Sequence, residues 1–101
     1  MLVIDEIEYF LPKNKITNKD FLEKNPDWDI DSIKNTTGVS TRYYTDTNET
    51  ALDISFKACV NLFNRKPDLK EKIDALIFCT HSNDPIIPSN SSILHGMLDL
   101  S

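Results

Sequence analysis

The side chains able to do chemistry in this 101-residue chain are Cys59, Cys79, His81 and His95, with acidic clusters at Asp5/Glu6, Asp27/Asp29/Asp31 and Asp46/Glu49. A zinc site needs pairs such as C-x-x-C or H-x-x-x-H, which present two ligands from one turn. Here the four Cys and His residues are separated by 19, 1 and 13 positions, so no metal site is expected. A buried strand cysteine beside a loop histidine is the reading of Cys79 and His81. A serine nucleophile needs a strained elbow such as G-x-S-x-G, and no serine here is flanked by glycines. Cys79 and His81 share a face only until their strand ends, which argues against a Cys–His nucleophile. Asp27-Trp28-Asp29-Ile30-Asp31 begins like a calcium loop, but its sixth position is Ser32 rather than Gly and its twelfth is Gly38 rather than Glu. The carboxylates read as solvated loop and capping groups, and no catalytic residue is assigned among them. Trp28, the single tryptophan, is either a partly buried packing residue or a stacking platform for a ligand base.

These residues must be positioned by one domain at most. With 40% apolar and 27% charged residues the chain can bury roughly 65% of the surface its unfolded form exposes, enough for a core. Gly38 and Gly96, the only glycines, lie 58 positions apart, which excludes a dinucleotide fingerprint and a P-loop. A net charge of -5, with basic residues clustered only at Lys13/Lys15 and Lys70/Lys72, argues against a nucleic-acid partner. The longest apolar runs, Met1 to Ile4 and Ala75 to Cys79, are far short of the ~20 residues of a membrane helix. Asp5 and Glu6 stand where a signal peptide would carry Lys or Arg. The expectation is a cytoplasmic protein with no membrane partner and with Cys59 and Cys79 as buried free thiols.

The elements follow from periodicity and caps. Leu2–Phe10 alternates Leu2/Ile4 and Val3/Ile7/Tyr9 with acids and suits a strand. Thr17 caps a short helix with Asp20 at its third position, and a second helix over 30–37 is closed by Gly38 in the left-handed conformation. A short strand over 39–44 follows. The longest helix starts at the Thr50 cap, with Asp53 at its third position, and runs to about Asn64; two adjoining apolar stripes predict burial over more than half its circumference. Ala75-Leu76-Ile77-Phe78-Cys79, ending at Thr80-His81-Ser82-Asn83-Asp84-Pro85, reads as a strand covered on both faces. A last helix spans 91–100. The pattern predicts an α/β chain with a βαβ-type layer, a parallel sheet and a buried helix.

Four stretches, read in order, resemble the N-terminal part of ketoacyl-acyl-carrier-protein synthase III of the thiolase-like superfamily. They are Tyr9-Phe10-Leu11-Pro12 followed by Thr17-Asn18 and Asp20; Thr37-Gly38-Val39-Ser40-Thr41-Arg42; Asn48-Glu49-Thr50-Ala51; and Leu76-Ile77-Phe78-Cys79-Thr80 leading to Ile87-Pro88-Ser89. The resemblance implies that residues 1–101 are a single incomplete segment of a five-layer αβαβα fold with a mixed or parallel sheet. It implies a cytoplasmic homodimer that takes an acyl group from a coenzyme A thioester, with no permanently bound cofactor. The acyl group is then condensed with malonyl-acyl carrier protein in fatty acid or related acyl-chain synthesis. The family's Cys-His-Asn set matches no residue within 1–101, so the isolated chain is expected to be inactive.

In that family a Trp and an Arg before the Thr-Gly step sandwich the adenine of coenzyme A, with the Thr close by. Thr37 matches that Thr. By the family's spacing Ser32 and Thr36 occupy the Trp and Arg positions, and Trp28 lies four residues before Ser32, so either an insertion moves Trp28 or the adenine is held differently. Trp28 and Thr37 are the expected coenzyme A contacts. Ile87 matches a position that is often Phe and helps close the partner subunit's acyl pocket. Two other readings remain, a non-catalytic α/β interaction module and an acyl-CoA-binding fragment.

Overall fold

Thr17 and Thr50 each open a helix by the same exchange. The Thr17 hydroxyl accepts from the Asp20 amide while the Asp20 carboxylate accepts from the Thr17 amide at 2.6 Å; Thr50 and Asp53 repeat the pattern, the latter bond at 2.9 Å. Both are complete capping boxes, as the sequence predicts. The computed structural model of the chain describes residues 1–82 and 84–101, so Asn83, in the expected polar boundary after the 75–79 run, lies outside the described residues. Leu11–Asn48 forms one compact unit, and Met1–Phe10 with Glu49–Ser101 forms another.

In the Leu11–Asn48 unit, β1 (Asn14–Thr17) runs straight into α1 (Asn18–Lys24), then α2 (Ile30–Thr37) leads to β2 (Thr41–Tyr44). β1 and β2 pair antiparallel with Asn14 opposite Tyr44 and Thr17 opposite Thr41. The turn at the end of α2 is made by Gly38 at φ 70°, and its amide donates to the Lys34 carbonyl at 2.8 Å. That is the left-handed helix stop expected of glycine.

The other unit is built on α3 (Ala51–Arg65), a 3₁₀ helix over Pro67–Lys72, and α4 (Asn90–Met97). Leu52, Leu94 and Leu98 are its buried core, with Phe56, Cys59, Val60, Phe63, Leu76, Phe78, Ile93 and Leu100 packed around them. Burying each such side chain is worth about 1.5–3 kcal/mol. Lys57, Asn61, Asn64 and Arg65 form the polar stripe of α3, at the spacing of one helix face. Its other faces are only half covered, with Leu52 its one buried residue, so the helix is less enclosed than its two apolar stripes imply. α4 ends in a Schellman turn: the Asp99 amide donates to the Gly96 carbonyl and the Leu100 amide to that of His95, at 3.1 and 3.2 Å. Asp99 takes the left-handed position usually given to glycine, at φ 51°.

Two expected strands do not form. Neither Leu2–Phe10 nor Ala75–Cys79 belongs to a ladder, and the sheet among the described residues is the two-stranded antiparallel β1–β2 pair rather than a parallel one. The physical reason is that a strand exists through its neighbour's hydrogen bonds, which the hydrophobic pattern of one segment cannot supply. The 75–79 run still alternates in burial: Leu76 and Phe78 lean on the core while Ile77 is 93% exposed, so one face is covered and not both.

Candidate functional site

The expected coenzyme A contacts, Trp28 and Thr37, both fall in the Leu11–Asn48 unit. Asn18 opens α1 and ties it to the approach to β2. Its backbone amide donates to the Ser40 carbonyl and its Nδ2 to that of Val39, both at 3.1 Å, while its Oδ1 accepts from Arg42 Nη1 at 2.7 Å. Three residues along α1, on the same face, stands Phe21. The Arg42 guanidinium lies 4.9 Å from the centroid of its ring. Trp28 stacks on the same residue, with ring centroids 5.8 Å apart and planes inclined by 23°. Trp28 is therefore neither a core residue nor a free surface ring: it is braced by Phe21 and still 48% exposed.

Trp28 immediately precedes Asp29, whose carboxylate caps α2 by accepting from the Ser32 amide at 2.9 Å, and Thr37 is the last residue of that helix. Eight helical residues rise about 12 Å, so a ligand touching both side chains would span the length of α2. The Thr37 hydroxyl donates to the Ile33 carbonyl at 2.7 Å and accepts from the Val39 amide at 3.2 Å. Its proton is thus committed within the helix, and what it offers outward is one lone pair, an acceptor rather than a phosphate donor.

Beside Phe21 a cleft of about 220 Å³ opens, lined also by Ile16, Lys24, Asn25 and Tyr44. The negative charge of the chain is absent from this unit: Leu11–Asn48 carries six basic and six acidic residues, whereas Met1–Phe10 with Glu49–Ser101 carries five and ten. An anionic ligand meets no net repulsion from the neutral unit.

Ile87 belongs to the other unit, where it and Ile86 are 86% and 89% exposed ahead of Pro88. Cys59 and Cys79 are free thiols that line one shallow cavity of about 320 Å³ with Ser55, Ala58, Leu76, Ile77, Phe78 and Leu94. Cys79, expected to be buried, is exposed because it falls on the same alternate face as Ile77, opposite the face that Leu76 and Phe78 lay on the core. Burial pushes the Cys59 thiol up, which keeps it protonated and unsuited to attack. Among the described residues no three His, Cys, Asp or Glu side chains converge to hold a metal ion.

The sequence reading missed Phe21 as the partner of Trp28, and Arg42 and Asn18 as the groups that contact one another behind Phe21. The spacing of Asn18 and Phe21 on α1 was visible; the arrival of Arg42 from a strand 24 residues on was not.

No family model matches the chain. It is 32% identical over 95 residues to beta-ketoacyl-[acyl-carrier-protein] synthase III of Acholeplasma laidlawii, covering 91% of this chain and 29% of that protein. It is 31% identical over 97 residues to beta-ketoacyl-[acyl-carrier-protein] synthase III 2 of Halalkalibacterium halodurans, covering 96% and 29%. Among solved structures, the synthase III of Thermus thermophilus superposes with a TM-score of 0.79 at 29% identity, covering 92% of this chain and 29% of its own. The chain thus spans about three tenths of the length of the curated relatives it matches. In sequence and in fold, these residues match the N-terminal part of ketoacyl-acyl-carrier-protein synthase III, of the thiolase-like superfamily.

Proposed function

We propose that the protein is a condensing acyltransferase of the ketoacyl synthase III type, joining an acyl group from coenzyme A to malonyl-acyl carrier protein in fatty acid or related acyl-chain synthesis. In this reading residues 1–101 are one incomplete segment of a cytoplasmic homodimer, and the Leu11–Asn48 unit forms part of the coenzyme A entrance. The observation that carries the ligand assignment is Trp28: a braced indole, half exposed, on a unit of zero net charge. Its open surface suits the adenine ring, the Thr37 lone pair suits the exocyclic amine of a purine, and Lys24 at the cleft supplies a cation for phosphate.

The test is a calorimetric titration of the 101-residue chain with coenzyme A. Binding that weakens in Trp28→Ala and Thr37→Ala while Thr37→Ser retains it is the expected result. Equal affinity in wild type and Trp28→Ala would remove the assignment. With acetyl-CoA and malonyl-acyl carrier protein the chain alone should give no condensed product, because the Cys-His-Asn set implied by the resemblance matches no residue within 1–101 and burial keeps the Cys59 thiol protonated. Product above background would overturn that part. For Ile87, we propose contact with the partner's acyl pocket; Ile87→Phe in the full-length enzyme should shift preference to shorter acyl chains, and an unchanged preference would sink it.

A second reading, a non-catalytic interaction module, is favoured by the apolar side chains left open at Ile7, Ile77, Ile86 and Ile87. Coenzyme A binding that depends on Trp28 separates the two.

A further inference from the structure

We infer that Arg42, braced by Asn18, is a positioning residue that sets the plane of Trp28 through the ring of Phe21. This rests on the reading of Trp28 as a ligand platform, but its primary readout does not. An exposed indole at the edge of a turn has two free side-chain torsions. The backbone around Trp28 offers only local restraint, its amide donating to the Asn25 carbonyl at 3.1 Å and its carbonyl accepting from the Ile30 amide at 3.0 Å. What restrains the ring is Phe21, and Phe21 is itself only half-buried.

Arg42 supplies the missing rigidity. As a residue of β2 it is held in register opposite Ile16, so its backbone is fixed by the ladder. Its guanidinium is fixed in turn by Asn18, a side chain only 9% exposed whose amide is also anchored to the Val39 carbonyl. The planar guanidinium can therefore lie on the Phe21 ring while donating sideways to Asn18 Oδ1, a pairing that a lysine ammonium does not reproduce. The chain of contacts runs from a paired strand through a buried amide to a cation, a ring and then the exposed indole. Asn18, Arg42 and Phe21, drawn from α1 and β2, thus place one flat surface.

Trp28 is the single tryptophan, so its near-ultraviolet dichroism and fluorescence anisotropy report this arrangement directly. The 101-residue chain is compared with Arg42→Met, Asn18→Ala, Phe21→Leu and the Phe21→Leu/Arg42→Met double variant, each shown to keep its helical far-ultraviolet spectrum. Arg42→Met and Asn18→Ala should lower the anisotropy and flatten the indole bands, and Arg42→Met should add nothing in the Phe21→Leu background. An unchanged indole signal in Arg42→Met, or an equal effect with and without Phe21, would overturn the inference. Should Arg42→Met fail to fold, Arg42→Lys keeps the charge and the ladder; a loosened indole supports the inference and a wild-type indole overturns it. Coenzyme A affinity should fall about three- to tenfold in Arg42→Met, the worth of one cation–ring contact. If wild type binds no coenzyme A, the ligand reading fails while the spectroscopic result still judges the positioning.

Discussion

Arg65 Nη1 donates to Glu6 Oε2 at 2.7 Å, across 59 residues of sequence. The same guanidinium donates through Nε to Glu8 at 3.2 Å and through Nη2 to the Ile7 carbonyl at 3.3 Å, while Lys66 pairs with the other Glu6 oxygen at 2.9 Å. One arginine at the end of α3 therefore grips three consecutive residues. The grip turns the N-terminal segment over: Glu6 and Glu8 are partly covered, and Ile7 and Tyr9 are 75% and 69% exposed.

Lys66 and Arg65 hold the Glu6 carboxyl below the usual carboxylate range. A single exposed pair contributes little, but an arginine shared by two carboxylates and a carbonyl fixes a segment. Arg65→Ala should leave the melting temperature almost unchanged and speed proteolysis within residues 1–10 several-fold. High salt should act in the same direction on wild type. Equal cleavage rates in the variant and wild type would show that the segment is held by something else.

Thr50→Ala should cost about 1 kcal/mol of stability in urea denaturation, the usual worth of an N-cap hydroxyl. The Asp53 carboxyl is held below its ordinary value of 3.8 first by the Thr50 amide and then by the Thr50 hydroxyl, and Asp20 is lowered likewise, its leading cause being the Thr17 hydroxyl. Because the folded values are depressed, this stabilisation is fully present above the unfolded value and is lost as pH falls through the folded one. Helical signal at 222 nm should decline as acid is added below about pH 4, and in Thr50→Ala the decline should begin at higher pH. A profile identical to wild type would contradict the box.

Gly38 and Asp99 should respond in opposite senses to substitutions at the left-handed position. Gly38→Ala leaves the added methyl free of contacts but strains the backbone, with an expected loss of about 1 kcal/mol. Asp99→Gly relieves the same strain and should gain up to about 1 kcal/mol, since the Lys70 contact it removes, at 3.7 Å, involves a side chain 97% exposed. Thermal melts of the two variants that move the same way would refute the pairing.

With a thiol reagent such as dithionitrobenzoate, Cys79 should react at once and Cys59 slowly, because only Cys79 is exposed and burial raises the Cys59 thiol. Cys79→Ser should abolish the fast phase. Two equal rates would mean that the α3 face carrying Cys59 is open.

Most local signals in the sequence were legible to within a residue or two, since both Thr-x-x-Asp boxes, the Gly38 stop and the first three helices carry their causes in neighbouring residues; the last helix, expected over 91–100, ends three residues early at Met97, where the Asp99 turn stops it. The sheet was not legible, because pairing is a property of two segments and the 2–10 and 75–79 runs state only their own half. The same limit hid Arg42 from Trp28. Asp99 escaped notice for a different reason, since a left-handed helix stop is read from glycine and this one uses an aspartate. For the candidate site, the types and order of Trp28 and Thr37 were visible, but the internal commitment of the Thr37 proton depends on geometry.

The run from Ala75 to Cys79 is seated by two side chains and no ladder. A ladder fixes every residue of a segment at once, whereas Leu76 and Phe78 fix only two points. A shift of one position would turn Ala75, Ile77 and Cys79 inward and put Leu76 and Phe78 in water, so the present seating is favoured by the difference between a Leu–Phe pair and one Ile with two small side chains, on the order of 1 kcal/mol. A serine at position 78 would erase that margin. The register of this segment, more than that of any helix in the chain, hangs on a single aromatic ring.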